Sequence, residues 1–176
     1  MRSYTPGGRF DADFESDDIS AGITADRTNP VGAIAQWWSF NTSFVTDPIY
    51  DVEPIGVGRV WTGPKYVPVT ATSIGQGASV LNERGFYNVD TLHLTFNIDD
   101  AFVVAPELFD DKGLVKSSID LVDKYRIVFK NEVYRPNKAQ PAGLVANRHT
   151  MLVIDCTQLA PDELVNDVQF LAYAQP

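Results

Sequence analysis

Apolar and polar residues alternate without a break through Leu92-His93-Leu94-Thr95-Phe96-Asn97-Ile98. A period of two places Leu92, Leu94, Phe96 and Ile98 on one face and His93 on the other, as in a half-buried strand. Arg59-Val60-Trp61 and Tyr66 to Thr72 also read as strands, separated by Thr62-Gly63-Pro64. Within the second, Pro68 has no amide hydrogen for a ladder, which predicts an edge position or a proline nitrogen that faces solvent. Tyr125-Arg126-Ile127-Val128-Phe129 and Val133-Tyr134-Arg135 predict a hairpin about Lys130-Asn131-Glu132, with Asn131 at positive φ. Pro136 to Gly143 reads as a further turn region, after which Thr150 to Cys156 returns as a strand.

Two short helices interrupt this series. One is expected within Asp99–Ser118, where Val103-Val104-Ala105 precede Pro106 and Asp110-Asp111-Lys112-Gly113 turns the chain. The other opens at Pro161-Asp162-Glu163-Leu164-Val165, with Phe170 and Tyr173 as late anchors. Val31 to Phe44 is strongly apolar but does not declare its type, because the adjacent Trp37 and Trp38 fit either period. Burying one tryptophan contributes up to about 5 kcal/mol, from roughly 200 Å² at ~25 cal/mol per Å². Both indoles therefore seek cover, either in the core or, for one of them, on a neighbouring subunit. Trp37, Trp38, Phe40, Phe170 and Tyr173 are the candidate interface residues.

Three segments follow: an extended N-terminal arm over 1–35, a β domain over 36–160 and a C-terminal tail over 161–176. The arm is rich in Asp, Gly and Pro and poor in large apolar residues. Its Asp11-Ala12-Asp13-Phe14-Glu15 is no calcium loop, since Ser16 stands where the turn needs glycine and Gly22 where a bidentate glutamate belongs. Ser73 to Gly85 is a polar, glycine-bearing stretch between strands and reads as a long loop. Short strands with turns between them and little helix predict a mainly β fold, a small antiparallel barrel or a sandwich.

Composition narrows the function. The 176 residues carry a formal charge of −9, which disfavours gripping nucleic acid by its phosphates and suits a surface that DNA slides past. No apolar run reaches the ~18 residues of a membrane span. Cys156 is the lone cysteine, so no internal disulfide forms, and the expected state is a buried, inert thiol. With His93 and His149 the only histidines, the sequence holds no Cys-x-x-Cys, no His-Glu-x-x-His, no Gly-x-Ser-x-Gly and no phosphate loop. Gly56-Val57-Gly58 and Gly75-Gln76-Gly77 read as turns. Asp99-Asp100 and Asp110-Asp111 read as solvated loop acids, and a His93–His149–carboxylate metal site is the weakest of the chemical candidates. The chain is not expected to be an enzyme or to need a cofactor.

The order of segments carries a resemblance. Asp47-Pro48-Ile49-Tyr50-Asp51 and Gly58-Arg59-Val60-Trp61 are followed by Val67-Pro68-Val69, the long loop and Gly85-Phe86-Tyr87. The hairpin Asp123 to Pro136, then Arg148 to Asp155, then Pro161-Asp162-Glu163-Leu164-Val165-Asn166-Asp167 complete it. Over roughly residues 36 to 170 the chain resembles the head-to-tail connector proteins of long-tailed actinobacteriophages, of the stopper or head-completion type. That resemblance implies a small β-barrel, and copies joined in a sixfold or twelvefold homo-oligomeric ring in the virion neck. It implies portal and adaptor proteins above, tail terminator or tail tube proteins below, and phage DNA in the channel without sequence specificity. It implies assembly in the host cytoplasm, with no membrane. By position, Ser73, Gln76, Ser79, Asn82, Glu83 and Arg84 match the family's channel loop. A tail terminator or adaptor ring of the same neck is the nearest alternative. A small β-barrel ligand-binding module or metal-dependent enzyme is the alternative of another class.

Overall fold

The computed structural model describes residues 12–27, 33–41, 60–77, 79–82, 85–111, 113–116, 124–145, 148–160, 163–164 and 167–173. Six strands close an antiparallel barrel: β1 (Ala33–Phe40), β2 (Trp61–Gly75), β5 (Thr91–Asn97), β8 (Arg148–Gln158), β7 (Glu132–Val145) and β6 (Tyr125–Phe129), in that spatial order. A separate two-stranded sheet, β3 (Ser79–Asn82) with β4 (Gly85–Asn88), is inserted between β2 and β5. Helix α1 (Ala12–Arg27) precedes the barrel, and α2 (Ile98–Val104) follows β5 directly. No described helix is long and apolar enough to cross a membrane.

The period-two segment is β5, and Leu92, Leu94 and Phe96 are wholly buried in the barrel. Trp37, Val67, Ile127, Leu152 and Ile154 meet them there. A second apolar cluster lies on the outside of the barrel wall, formed by Trp61, Val128, Val133, Leu159, Leu164 and Phe170. This explains why all five residues of β6 are buried. Its inward side chains face the barrel core, and its outward ones lie under the C-terminal 3-10 turn Val168–Tyr173.

The ambiguous Trp37-Trp38 segment is a strand. Trp37 points inward, 1% exposed, and stacks edge-on against Tyr125 with ring centroids 5.6 Å apart. Trp38 points outward and packs on Phe170. Trp37 and Phe170 are thus core residues of this chain, and they are withdrawn as subunit-interface candidates. Trp38, Phe40 and Tyr173 keep part of their surface while packing against the outer cluster.

Pro68 sits where β2 has one neighbour. It pairs with Ile34 of β1, and the β5 ladder begins only at Val69. The Lys130-Asn131 turn has φ of 49° and 66°, with Phe129 opposite Glu132. Two consecutive positive φ values are the two-residue hairpin that matches strand twist.

Two expectations are corrected. Residues 12–27 of the arm are helical rather than extended: Pro6 and Pro30 bracket the segment and none interrupts it, and the barrel supplies it with a polar seat. Pro136 to Gly143 is no turn but the middle of β7. Beyond Tyr134, β7 pairs with β8 alone, so half of its amides have no ladder to serve and Pro136 and Pro141 are tolerated. A bulge at Asn137 and a left-handed Gly143 at φ 65° bend this overhang.

Three buried ionisable groups resist alkali. Burial pushes the hydroxyls of Tyr125 and Tyr134 and the thiol of Cys156 well above their ordinary range, and Glu107 and Glu132, which accept the two tyrosine hydrogen bonds, add to the shift. A folded-state pKa above the unfolded one contributes stability below the unfolded pKa and loses it as pH rises. Stability is therefore expected to fall from about pH 9, where unfolded thiol ionises, and faster past about pH 10 with the tyrosines. Denaturant midpoints measured from pH 7 to 11 check this; a flat profile contradicts it.

Candidate functional site

The Ser73–Arg84 stretch is the one the resemblance marks for function. Its first residues are not a loop. Strand β2 continues to Gly75, with Ser73 opposite His93 and Gly75 opposite Thr91. The rest is a hairpin, since Val80 pairs with Tyr87, Leu81 with Phe86 and Asn82 with Gly85. Ser79-Val80-Leu81-Asn82 and Gly85-Phe86-Tyr87-Asn88 are short and carry adjacent apolar pairs rather than a period of two, which is why the stretch reads as a loop. Gln76 is exposed at the root, Ser79 and Asn82 are strand residues, and Glu83 and Arg84 lie outside the described residues.

The root of this hairpin is tight. The Gly77 amide donates to Asp90 Oδ1 at 3.3 Å. Asp90 in turn accepts from the Gln158 amide at 2.9 Å through its carbonyl, and its own amide donates to Gln158 Oε1 at 3.3 Å. A Cβ at Gly77 would lie 1.3 Å from the Val89 carbonyl oxygen, so no other residue fits there without moving the backbone. Gly77 and Asp90 thus fasten the root of the two-stranded lobe.

A polar row crosses the outer wall near this root. Ser73, His93 and Asp155 are consecutive cross-strand neighbours on β2, β5 and β8. His93 Nδ1 lies 2.6 Å from Asp155 Oδ1, and Gln140 Nε2 donates to Asp155 Oδ2 at 3.4 Å. His149 stands six residues back along β8, opposite Leu144, on the order of 20 Å from Asp155 along an extended strand. The two histidines are not brought together. Among the described residues, no three His, Cys, Asp or Glu side chains converge to hold a metal.

At the far end of β5, Asn97 caps α2 by accepting the Asp99 amide at 2.9 Å. Asp99 then joins the seat of α1. Arg148 donates to Asp17 at 2.6 Å and to Asp99 at 3.1 Å, and Ser20 Oγ donates to Asp99 Oδ2 at 2.5 Å. Charge from both carboxylates outweighs desolvation and holds the Arg148 guanidinium above its ordinary pKa. The paired acids thus have separate structural tasks, for Asp110 Oδ1 accepts the Leu114 amide in a turn. Sequence reasoning missed this clasp and a second one. Arg126 lies over the Trp61 ring at 4.5 Å and pairs with Asp167 at 3.9 Å, both side chains 4% exposed. Nothing local announces pairs separated by 131 or 41 positions. No protein-family model matches the chain, and no curated protein matches its sequence.

Proposed function

We propose that this chain is a structural ring protein of a phage neck, of the stopper or head-completion type, which helps close the DNA channel after packaging and offers a docking surface to the tail. The observation that carries the reading is the β3–β4 hairpin. It is inserted between neighbouring strands of a closed barrel, on a root that Gly77 and Asp90 hold tight, at the position the resemblance gives to the channel loop. Identical copies that meet head to tail close a ring by rotation. Ile34 and Tyr66, exposed on the adjacent strands β1 and β2, are suitable contact residues. The formal charge of −9 keeps passing DNA from adhering to the channel wall. A tail terminator ring shares the β-rich ring character and differs in the layer it occupies.

The test is direct. Purified full-length chain examined by mass photometry and negative-stain electron microscopy is expected to yield rings, and cryo-electron microscopy of virions is expected to place one beneath the adaptor layer with β3–β4 toward the channel. A chain that stays monomeric at every concentration, with no ring of it in virions, would sink the reading. A ring at the tail end of the neck would assign it to the terminator instead.

A further inference from the structure

The barrel closes through β1 and β6, which are shorter than the strands beside them. β2 and β7 therefore each run past the closure with one side unpaired among the described residues. β1 begins at Ala33, opposite Val69, so Thr70–Gly75 of β2 pairs with β5 alone. Past Tyr134, β7 pairs with β8 alone.

These two open edges are built differently. The β7 edge is guarded by Lys138, by Pro141, by the bulge at Asn137 and by the left-handed Gly143, which are common means of blunting a strand against further pairing. The β2 edge reads Thr70-Ala71-Thr72-Ser73-Ile74-Gly75 and has no charge and no proline. Thr70 to Ile74 are all exposed. Ile74 lies opposite Leu92, which is wholly buried, so it is on the core side of the sheet. It is nevertheless 47% exposed, because no described strand flanks it. An uncharged edge beside an open apolar side chain is a template for one more strand.

The chain itself has strands to supply. β3 and β4 form a sheet apart from the barrel, and two strands by themselves are only marginally stable in water. In their own subunit they are directed away from the β2 edge. The Gly77 amide fastens their root to Asp90, which is bonded in turn to Gln158 of β8. β5 and β8 lie on the paired side of β2, across from its open edge. β3 accordingly pairs with β4 and not with β2.

We propose that the β3–β4 hairpin of one copy adds to the Thr70–Gly75 edge of the next, main chain to main chain. The hairpin gains a third strand and Ile74 gains cover. Charge favours a second copy as the occupant: Ser79–Asn82, Gly85–Asn88 and Thr70–Gly75 hold no ionisable side chain, so two acidic chains meet there without opposing carboxylates. Donor and acceptor are different surfaces of one chain, so the contact is head to tail and repeats from copy to copy. The inference deepens the ring reading above and rests on it for closure.

The experiment combines disulfide cross-linking and hydrogen exchange on the full chain, whose own Cys156 is buried and does not compete. Thr72→Cys chain is mixed with Ser79→Cys or with Asn88→Cys chain. Paired strands lie about 5 Å apart, within disulfide reach. Mild oxidation is expected to give a heterodimer from at least one mixture, and none when Leu144→Cys, at the other end of the barrel, replaces Thr72→Cys. The amides of Thr70–Gly75 that β5 leaves free are expected to exchange about tenfold or more slowly in assembled than in dilute chain. Ala71→Lys, at an exposed position, is expected to remove both signals by guarding the edge. Rings whose Thr70–Gly75 amides exchange as fast as in dilute chain overturn the contact and leave the ring reading standing. Heterodimers that never close into a ring keep the contact and remove the ring. Slow exchange without either heterodimer, or Thr72→Cys cross-linking only to itself, gives the edge another occupant and overturns the proposal. Absence of association at every concentration overturns both.

Discussion

Asp167→Ala is expected to destabilise the fold by about 3–5 kcal/mol, the usual consequence of removing one partner from a buried ion pair. Arg126 is fixed over the Trp61 ring and donates to the Tyr125 carbonyl at 2.9 Å. It cannot swing into water without uncovering the outer cluster, so its charge loses a compensating carboxylate while it stays buried. For a chain of this length the melting temperature is expected to drop by roughly 6–20 °C. Arg126→Met combined with Asp167→Ala is expected to recover part of the loss, because a similar apolar volume replaces a buried charge that has lost this carboxylate. Differential scanning calorimetry of the single and double variants decides it; a single variant within about 2 °C of the parent contradicts the account. The expectation bears on function, because this pair ties the Val168–Tyr173 turn to β6, and that turn covers the outer wall.

Trp37→Ala is expected to cost a comparable 3–5 kcal/mol, as roughly that much is lost when a buried aromatic leaves a cavity. Trp37 sits at 5.6 Å from both Phe96 and Tyr125 in the barrel centre, where the strands leave little room to collapse. Trp38→Ala is expected to cost less, on the order of 1–2 kcal/mol, since its side chain keeps part of its surface in water and packs on one outer surface. Urea titration of both variants measures the contrast. Equal losses would mean that the two faces of β1 are equally enclosed and that Trp38 has no surface left for a neighbour.

The β5 alternation and the Lys130-Asn131 turn were legible because each is a local rule: a period of two with one wet face, and two positive φ values that asparagine tolerates. Pro68 was legible for the same reason, as a missing donor must lie where a ladder is missing. β7 was not. Two prolines and a glycine say turn at short range, and only the distribution of neighbours, β8 on one side and none on the other past Tyr134, makes a strand of them. Nor was α1 legible. Its described side chains bury little, and its contacts include Asp17 and Ser20 meeting Arg148 of β8, Asp99 of α2 and Asn97 of β5, all distant in sequence. Likewise the hairpin β3–β4 was masked by its polar content and short strands.

From its residue order alone this chain is a β-rich protein with a half-buried strand at Leu92–Ile98, a tight Asn131 hairpin, a lone apolar-flanked cysteine and an acidic balance. Each of these follows from backbone sterics, period or composition, which act within a few residues. Which tryptophan is core, where Arg148 and Arg126 find their carboxylates, and whether Ser73–Arg84 is loop or lobe depend on barrel closure. Closure sets strands side by side that lie tens of residues apart, and it assigns one face of every strand to the interior. A pocket among α2, the Phe109–Val115 turn, Pro141 and His149 exists for that reason too: its walls come from four segments that meet only once β5, β8 and β7 are paired.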